Sequence, residues 1–191
     1  MQRIGLYGGS FDPVHLGHLL VAQAALEELA LDRLFLIPAA QSPFKPDRQP
    51  APAAARLAML RLAFVGKTKC VVDDQEITRG GTSYTIETLR QYAEKFSGAE
   101  LFYLIGADNV ASLPQWREAR ELAGLAEFVA IPRPGEAAVP FPPPFRGRQL
   151  DGFPLAVSSS EIRARAKAGL PLEPLVPAAV GEFIRNAKLY A

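Results

Sequence analysis

Short apolar runs alternate with longer helical runs along this chain. Five short runs are rich in apolar residues, which is typical of strands buried on both faces of a parallel sheet. These predicted strands cover residues 3–7, 33–38, 69–73, 101–105 and 128–131. The intervening and following segments predict helices over residues 19–31, 53–64, 84–96, 117–125, 158–168 and 177–189.

Strands that alternate with helices in this way predict one α/β domain over residues 1–191, with a Rossmann-like parallel sheet covered by helices on both faces. Ligands of such sheets bind beyond the carboxyl ends of the strands, where the strand order reverses. The stretch 132–154 contains seven prolines. We expect most of it to be a surface connection, because proline cannot join a central strand. Thr82 or Ser83 is predicted to cap the helix that begins at residue 84.

The composition is that of an ordinary globular protein, with 191 residues, 49% hydrophobic and 21% charged. The net charge of +1 provides no global field for nucleic acid or an anionic membrane, so local groups must hold any bound anion. The single cysteine, Cys70, excludes an internal disulfide. No apolar run has the length of a signal peptide core or a membrane span, so we expect a cytoplasmic protein. The oligomeric state stays open.

The turn after the first predicted strand carries the only two histidines, His15 and His18. The segment reads Gly-Gly-Ser-Phe-Asp-Pro-Val-His-Leu-Gly-His, and a helix is predicted to follow it. Side chains at i and i+3 share a helix face, so both imidazoles can face one ligand. Unpaired N–H groups at a helix N-terminus bind anions. Gly8, Gly9 and Gly17 lack the Cβ atoms that would keep a ligand from the backbone. The segment therefore predicts a phosphate site.

Two other interpretations of the histidine pair stay open. A pair of histidines can form half of a zinc site. With one cysteine and no third histidine, however, a catalytic zinc would need carboxylate ligands. The histidines could also be ordinary helix residues, although the flanking glycines disfavour this.

Three consecutive serines, Ser158, Ser159 and Ser160, precede another predicted helix. Such a cluster is often only a helix N-cap. Serine hydroxyls and N–H groups at a helix start also bind phosphate oxygens, and Arg163, one turn further on, can grip two oxygens with its planar guanidinium. Lys45, on a loop after a strand, is a third candidate cation or else a solvated lysine.

These two segments together resemble the nucleotidylyltransferase superfamily. The segment ending at His18 looks like its first signature, a histidine or threonine, any residue, then Gly-His. The segment Ser-Ser-Ser-Glu-Ile-Arg, ending at Arg163, looks like its second, Ser-Ser-Thr-any-Ile-Arg. The full first motif is similar to that of bacterial nicotinate-nucleotide adenylyltransferases. Segments 83–85, 106–109, 113–116, 133–135 and 175–190 agree with that family in the same order. Two positions depart from the pattern: Ser160 replaces threonine, and Phe44 replaces a frequent histidine before Lys45.

The resemblance implies the nucleotidylyltransferase fold and adenylyl transfer from ATP to nicotinate mononucleotide, which yields deamido-NAD and pyrophosphate and requires Mg²⁺. The mononucleotide phosphate attacks the α-phosphorus directly, without a covalent enzyme intermediate, so the protein must position and neutralise two anionic partners. The phosphates supply most Mg²⁺ ligands, and no protein side chain is predicted to bind the metal.

The resemblance also implies residue roles at the ATP end. His18 would face the α-phosphate and His15 the outer phosphates, with Arg163 and the serine turn at Ser158 and Ser159 holding the β- and γ-phosphates. Because phosphate favours the charged form of imidazole, we expect His18 to donate two hydrogen bonds while ATP is bound. The other predicted ATP- and phosphate-binding residues are Gly8, Gly9, Ser10, Phe11, Gly17, Lys45, Gly106 and Asp108.

The acceptor pocket is assigned to Thr85, Trp116 and Arg133. The family's matching tryptophan stacks on the pyridine ring, and the alternative for Trp116 is a core role. Thr85 lies near the predicted helix N-terminus that could receive the nicotinate carboxylate. Arg133 is the nearest candidate cation on a loop. Asp108, just past a strand, fits the family's contact to the adenosine ribose, or it caps a helix.

The nearest alternatives are sister nucleotidylyltransferases with another acceptor, such as nicotinamide mononucleotide or phosphopantetheine. Three of them, pantetheine-phosphate adenylyltransferase, glycerol-phosphate cytidylyltransferase and FAD synthetase, share the first signature but not the surroundings of Trp116 and Arg133. A class I aminoacyl-tRNA synthetase is excluded, because the chain is short, lacks the lysine-rich second signature and has no basic face for tRNA. A non-catalytic nucleotide-binding domain is disfavoured by the presence of both histidines and Arg163.

Overall fold

Six parallel strands form the centre of the molecule. The computed structural model describes residues 1–43, 49–132, 135, 138–153 and 155–191. The strands are β1 (Arg3–Gly9), β2 (Arg33–Pro38), β3 (Cys70–Val72), β4 (Glu100–Gly106), β5 (Glu127–Ile131) and β6 (Gly147–Gln149). They pair in the order β3-β2-β1-β4-β5-β6, and each of these pairs is parallel.

The strand order reverses between β1 and β4. Tyr7 of β1 is in register with Leu36 of β2 on one side and with Leu104 of β4 on the other. The connections leave these two central strands in opposite directions, so a crevice opens beyond their carboxyl ends, at Gly9 and Gly106. This crevice is where such a sheet binds its ligand.

Helices cover both faces of the sheet. They are α1 (Leu16–Glu28), α2 (Ala53–Ala63), α3 (Gln75–Arg79), α4 (Thr85–Lys95), α5 (Ala119–Leu125), α6 (Ser159–Lys167) and α7 (Ala178–Asn186), with a 3-10 helix at Ala107–Gln115. Alternate strand residues point to opposite faces. Tyr7 and Leu104 therefore pack with α1, α2, α6 and α7, while Leu6 and Tyr103 pack with α4, α5 and the 3-10 helix.

The predicted α/β fold with a Rossmann-like parallel sheet is confirmed. One strand was missed, because β6 lies inside the proline-rich stretch that the sequence predicts to be mainly a connection. This strand has only three residues and carries no apolar run. It is held at the sheet edge by pairing with β5 and by Arg148, whose Nε donates to Glu127 at 2.5 Å. An edge strand tolerates such a polar sequence since one side faces solvent.

Two helix starts also differ from the prediction. Helix α1 begins at Leu16, three residues earlier than expected, so the histidine segment lies at the helix start itself. The residue that caps α4 is Tyr84, and no side chain caps this helix. Ser83 was predicted as a cap, but its Oγ accepts a hydrogen bond from the Ala40 N–H at 3.0 Å and so ties the loop after β2 to the start of α4.

Candidate active site

The turn after β1 has an unusual backbone. Phe11 adopts a left-handed conformation with φ of 46°, which costs a non-glycine residue about 1–2 kcal/mol. Its ring is only 1% exposed and packs against the His18 ring, with the centroids 5.0 Å apart. Burial of this ring fixes the turn directly below the imidazole.

The glycines of the turn make room for protein side chains. A Cβ on Gly8 would lie 2.6 Å from the Tyr103 hydroxyl, and one on Gly17 would lie 2.9 Å from Cγ1 of Val157. From the sequence, these glycines are predicted to let a ligand approach the backbone. In the structure they are needed first for close packing, which at Gly17 brings residue 157 against the start of α1.

The two histidines form a stacked pair at the N-terminus of α1. His15 is the N-cap residue and His18 lies one turn inside the helix, with their ring centroids 3.8 Å apart. The backbone N–H of His15 donates to Nδ1 of His18 at 3.1 Å. Nδ1 of His15 is buried and has no hydrogen-bond partner among the described residues. Unpaired buried polar atoms are rare in folded proteins, and ligand-binding sites are one place where they persist.

Both imidazoles are neutral at pH 7 in this structure. Burial lowers the pKa of His15 from 6.5 to about 4. Burial, and then the neighbouring His15, lower the pKa of His18 well below its usual value. Loss of solvation disfavours the charged ring, whereas an arriving phosphate would favour it. The pair is therefore poised to respond to an anion.

The double donation that is expected of His18 with ATP bound stays a prediction. Its Nδ1 accepts the His15 N–H, so the proton of the neutral ring is on Nε2. His18 thus offers a ligand one directed donor, held in place by the backbone of the helix cap.

The serine segment at the start of α6 contacts the histidine turn after β1. Nη1 of Arg163 donates to the backbone carbonyl of Asp12 at 2.7 Å, and Nη2 donates to Oγ of Ser160 at 2.8 Å. Oγ of Ser159 donates to the carbonyl of Pro13 at 2.9 Å. The start of α6 is therefore bonded to the turn after β1, although 151 residues separate Arg163 from Asp12.

The serines bond to the turn after β1 and also cap α6. Oγ of Ser158 accepts from the Glu161 N–H at 3.2 Å, which is the N-cap bond that the sequence analysis left open. The predicted phosphate contacts of Ser158 and Ser159 stay predictions. In the structure their hydroxyls bond to protein groups.

Asp12, in the turn after β1, is only 2% exposed. Its Oδ1 accepts from the hydroxyl of Tyr190 at 2.7 Å and from the N–H of Ala51 at 3.1 Å. Its Oδ2 lies 4.0 Å from Nη1 of Arg163. One buried carboxylate thus contacts groups from three distant parts of the chain.

Arg56 of α2 is 1% exposed, which is rare for arginine. Its guanidinium donates to the carbonyls of Ser10, Ala39 and Ala51, at 2.9, 2.8 and 3.0 Å. Burial lowers the pKa of Arg56, and Asp12 opposes that shift. The buried guanidinium holds the turn after β1, the end of β2 and the start of α2 together.

Two of the residues predicted to bind the acceptor, Thr85 and Trp116, lie near β4 and β5. Thr85 is the first residue of α4, and its hydroxyl donates to the Tyr103 hydroxyl at 3.4 Å. Since Tyr103 also packs below Gly8, the structure connects Thr85 to the phosphate turn through one buried ring.

Trp116 directly follows the 3-10 helix. Its Nε1 donates to Oγ of Ser112 at 3.1 Å, and its ring meets Phe128 edge-on with centroids 6.2 Å apart. The indole is half-buried, so it combines core packing with an accessible part.

Asp108 is exposed just past Gly106, and a Cβ on that glycine would lie 2.4 Å from Oδ1 of Asp108. This places Asp108 at the carboxyl end of β4.

Two predicted site residues, Lys45 and Arg133, lie outside the described residues. Three structurally important ones were not predicted: the buried partners Arg56, Tyr103 and Tyr190. A signal for Arg56 exists in the sequence, because it shares the spacing of the buried positions of α2 with Met59, Leu60 and Ala63. An arginine on an apolar face at helical spacing indicates a buried charge with specific partners.

The described ranges contain no group of three or more histidine, cysteine or acidic side chains placed to hold a metal ion. In the part of the chain that the structure describes, every helix is too short or too polar to cross a lipid bilayer.

Comparison with known proteins places this chain in a family. Residues 6–165 match the family model described as cytidylyltransferase-like. A probable nicotinate-nucleotide adenylyltransferase of Opitutus terrae is 44% identical, over 99% of this chain and 98% of its own length. A protein of the same name from Synechococcus sp. strain JA-3-3Ab is 40% identical, over 99% of this chain and 95% of its own.

Solved structures agree on the fold. The nicotinic acid mononucleotide adenylyltransferase of Plasmodium falciparum, complexed with NaAD, superposes with a TM-score of 0.81 over 100% of this chain and 98% of its own. The two sequences are 19% identical, so this likeness concerns the arrangement of strands and helices.

Proposed function

The chain belongs to the cytidylyltransferase-like family and, within it, to the nicotinate-nucleotide adenylyltransferases, and we propose that it transfers the adenylyl group of ATP to nicotinate mononucleotide. The products are deamido-NAD and pyrophosphate, which makes the reaction a step of NAD biosynthesis. The observation that carries the proposal is the bond between Arg163 and the Asp12 carbonyl. It brings the guanidinium next to the histidine turn, as binding of one triphosphate by both segments requires.

The chemistry asks for positioning and charge neutralisation. The phosphate of the mononucleotide is already an anion, so in-line attack on the α-phosphorus needs no strong general base and no covalent enzyme intermediate. His18 donates through Nε2 to the α-phosphate, where negative charge develops, and His15 contacts the outer phosphates. Arg163 binds the β- and γ-phosphates and stabilises the departing pyrophosphate.

Proton uptake accompanies ATP binding in this proposal. Burial lowers the pKa of His15 to about 4, and the triphosphate raises it. A ring that gains a proton next to phosphate strengthens its hydrogen bond and offsets part of the negative charge.

Magnesium enters with the nucleotide. The phosphates supply most of its ligands, as the family resemblance implies. When bound, the ion neutralises phosphate charge. The protein itself holds the triphosphate through helix N–H groups, His15 and Arg163.

The acceptor binds on the side of Thr85 and Trp116. The half-buried indole stacks on the pyridine ring, and the N-terminus of α4 receives the nicotinate carboxylate. Arg133 is proposed as an additional cation at this end.

Pyrophosphate release tests the proposal directly. The purified chain is given Mg-ATP with nicotinate mononucleotide, nicotinamide mononucleotide or phosphopantetheine in parallel reactions. We expect fast release with the first and slow release with the others. Turnover with another acceptor alone would overturn the acceptor assignment and leave the phosphate site in place. No release with any of the three would overturn the function.

A further inference from the structure

The aromatic ring of Tyr190 reaches the phosphate site from far along the chain. Its hydroxyl donates to Oδ1 of the buried Asp12 at 2.7 Å, across 178 residues of sequence. The residue adopts a left-handed backbone with φ of 66°, which is unfavourable for a side chain with a Cβ. The preceding amide, from Leu189, is bonded to the carbonyl of Ile184 at 3.0 Å. The segment is thus held in a specific conformation that delivers one hydroxyl.

That hydroxyl acts as a hydrogen-bond donor throughout the physiological range. Burial, followed by the hydrogen bond and charge of Asp12, raises the pKa of Tyr190 far above its usual value. The phenol therefore stays protonated, and Oδ1 of Asp12 has a constant donor.

Arg163 contacts the same aspartate. Its Nη1 donates to the Asp12 carbonyl at 2.7 Å, while Oδ2 of the carboxylate stays 4.0 Å away. The guanidinium is therefore close to the carboxylate without forming a short, two-pronged ion pair with it. Such a pair would neutralise the charge that the outer phosphates need.

We propose that Tyr190 is a positioning residue for adenylyl transfer, because its bond to Oδ1 of Asp12 holds Oδ2 of that carboxylate 4.0 Å from Nη1 of Arg163 and so fixes the place of the guanidinium that binds the outer phosphates. The inference rests on the proposed function. It concerns how the site is held in shape and assigns Tyr190 no contact with the nucleotide.

Loss of the hydroxyl should let the carboxylate turn. A buried carboxylate that loses a donor seeks another, and Nη1 of Arg163 is only 4.0 Å from Oδ2. A direct ion pair would pull the guanidinium toward Asp12 and weaken its hold on pyrophosphate. The acceptor side is untouched by this movement.

The first test is Tyr190→Phe, which keeps the ring and removes only the hydroxyl. Since small displacements of a positioned group slow catalysis strongly, we expect kcat to fall by about 10- to 100-fold. The inhibition constant of pyrophosphate should rise by a similar factor, while the KM for nicotinate mononucleotide stays at the wild-type value. Unchanged kcat and pyrophosphate inhibition would overturn the proposal.

Tyr92→Phe is a matched control within the same chain. The Tyr92 hydroxyl donates to Oδ2 of Asp73 at 2.6 Å, and burial together with that bond raises the pKa of Tyr92 as well. Removal of this hydroxyl should lower the unfolding midpoint and leave kcat and pyrophosphate inhibition unchanged. If both variants slow the reaction equally, the effect of Tyr190 is general destabilisation and the proposal is wrong.

A double-mutant cycle tests the route through Arg163. We expect Tyr190→Phe to have no further effect on pyrophosphate inhibition once Arg163→Ala is present, since the two residues act as one unit. Additive effects would show that Tyr190 does not act through Arg163 and would overturn the proposal. The wild type is assayed first: if it fails to turn over nicotinate mononucleotide, the proposed function fails before the cycle begins.

A measurement on the wild type needs no variant. Coupling between two sites is reciprocal, so pyrophosphate binding should slow hydrogen exchange of the Leu189 amide, which is bonded to Ile184. If pyrophosphate binds and exchange at Leu189 stays unchanged, the proposed connection does not exist.

Discussion

The candidate site has two ends that are built differently. The phosphate end, around Asp12 and Arg56, is held by buried charged groups. The proposed acceptor end, around Thr85 and Trp116, has a half-buried indole and a long contact between two hydroxyl groups. At the phosphate end Asp12 and Arg56 are almost inaccessible to solvent and hydrogen-bonded to backbone groups of three chain segments. At the acceptor end the hydroxyl bond of Thr85 to Tyr103 is 3.4 Å long, and Trp116 is half-buried.

The difference matches what each end is proposed to bind. A triphosphate presents the same charges in every catalytic cycle, and donors fixed in advance stabilise developing charge without reorganisation. A flat aromatic acid is held by a ring face and a helix N-terminus, which tolerate small shifts. Changes at the phosphate end should therefore affect stability and rate, while changes at the acceptor end should affect binding of one substrate.

The most damaging change should be Arg56→Met. It leaves the carbonyls of Ser10, Ala39 and Ala51 without their buried donor, so the free energy of unfolding should drop by about 3 kcal/mol or more. Urea unfolding measures this. Arg61→Met is the matched control on the same helix: its side chain is 61% exposed and its Nη2 lies 3.3 Å from Oδ2 of Asp74, so the drop should stay below about 1 kcal/mol. Equal effects of the two would mean that burial of Arg56 is unimportant.

Removal of the directed donor should be nearly as severe for the rate. His18→Ala should lower kcat by about 100- to 1,000-fold, as expected when one donor to a developing charge is lost. The KM for nicotinate mononucleotide should change little, and pyrophosphate release measures both. His18→Asn is the companion variant, because its side-chain oxygen can accept the His15 N–H in place of Nδ1. Normal turnover in either variant would remove His18 from the reaction.

Acid should weaken the phosphate end through His15. Its folded-state pKa is about 4 against 6.5 in the unfolded chain, so between these values the unfolded state binds more protons. The free energy of unfolding therefore falls as the pH drops from 6.5 to 4, by up to about 3 kcal/mol from this group. Denaturant midpoints of the wild type and His15→Asn, measured across that range, isolate the contribution. Parallel curves for the two proteins would contradict it.

The smallest effect is expected at the acceptor end. Trp116→Leu should raise the KM for nicotinate mononucleotide by about 3- to 10-fold, the value of one aromatic stacking contact, and leave kcat and the KM for ATP in place. Steady-state kinetics with each substrate varied in turn measures the split. The KM of Trp116→Phe, which keeps a ring, should lie between the values of the wild type and of Trp116→Leu. A large loss of kcat in the leucine variant would show that the two ends are not separable.

The sequence predicts the elements of the fold that have strong local signals. Five strands are apolar runs, and the histidine segment between β1 and α1 combines glycines with a helix start. Strand β6 was missed because its three polar residues exist as a strand only through pairing with β5. The cap of α4 was wrong for a similar reason, since Ser83 bonds to Ala40, 43 residues away.

The sequence predicts the site residues that belong to a motif but not the residues that hold them in place. His15, His18 and Arg163 are visible from their spacing and from the family resemblance. Tyr190 and Arg56 act through partners 178 and 46 residues away, and no local pattern encodes such distances. For His18 the sequence also fails to predict a property that depends on a contact three residues away. Its proton location depends on the bond from the His15 N–H, which sequence spacing alone does not reveal.

The long sequence separation of Tyr190 and Asp12 also means that the parts of the site are synthesised at different times. During synthesis the histidine turn leaves the ribosome early, since domains emerge from their N-terminal side first. Arg163 and Tyr190 follow 151 and 178 residues after Asp12. A nascent chain therefore carries both imidazoles long before it carries the groups that complete the triphosphate site. Nucleotide binding by both segments therefore requires synthesis to pass Arg163, so we expect ATP to stabilise chains that contain this residue but not shorter nascent ones.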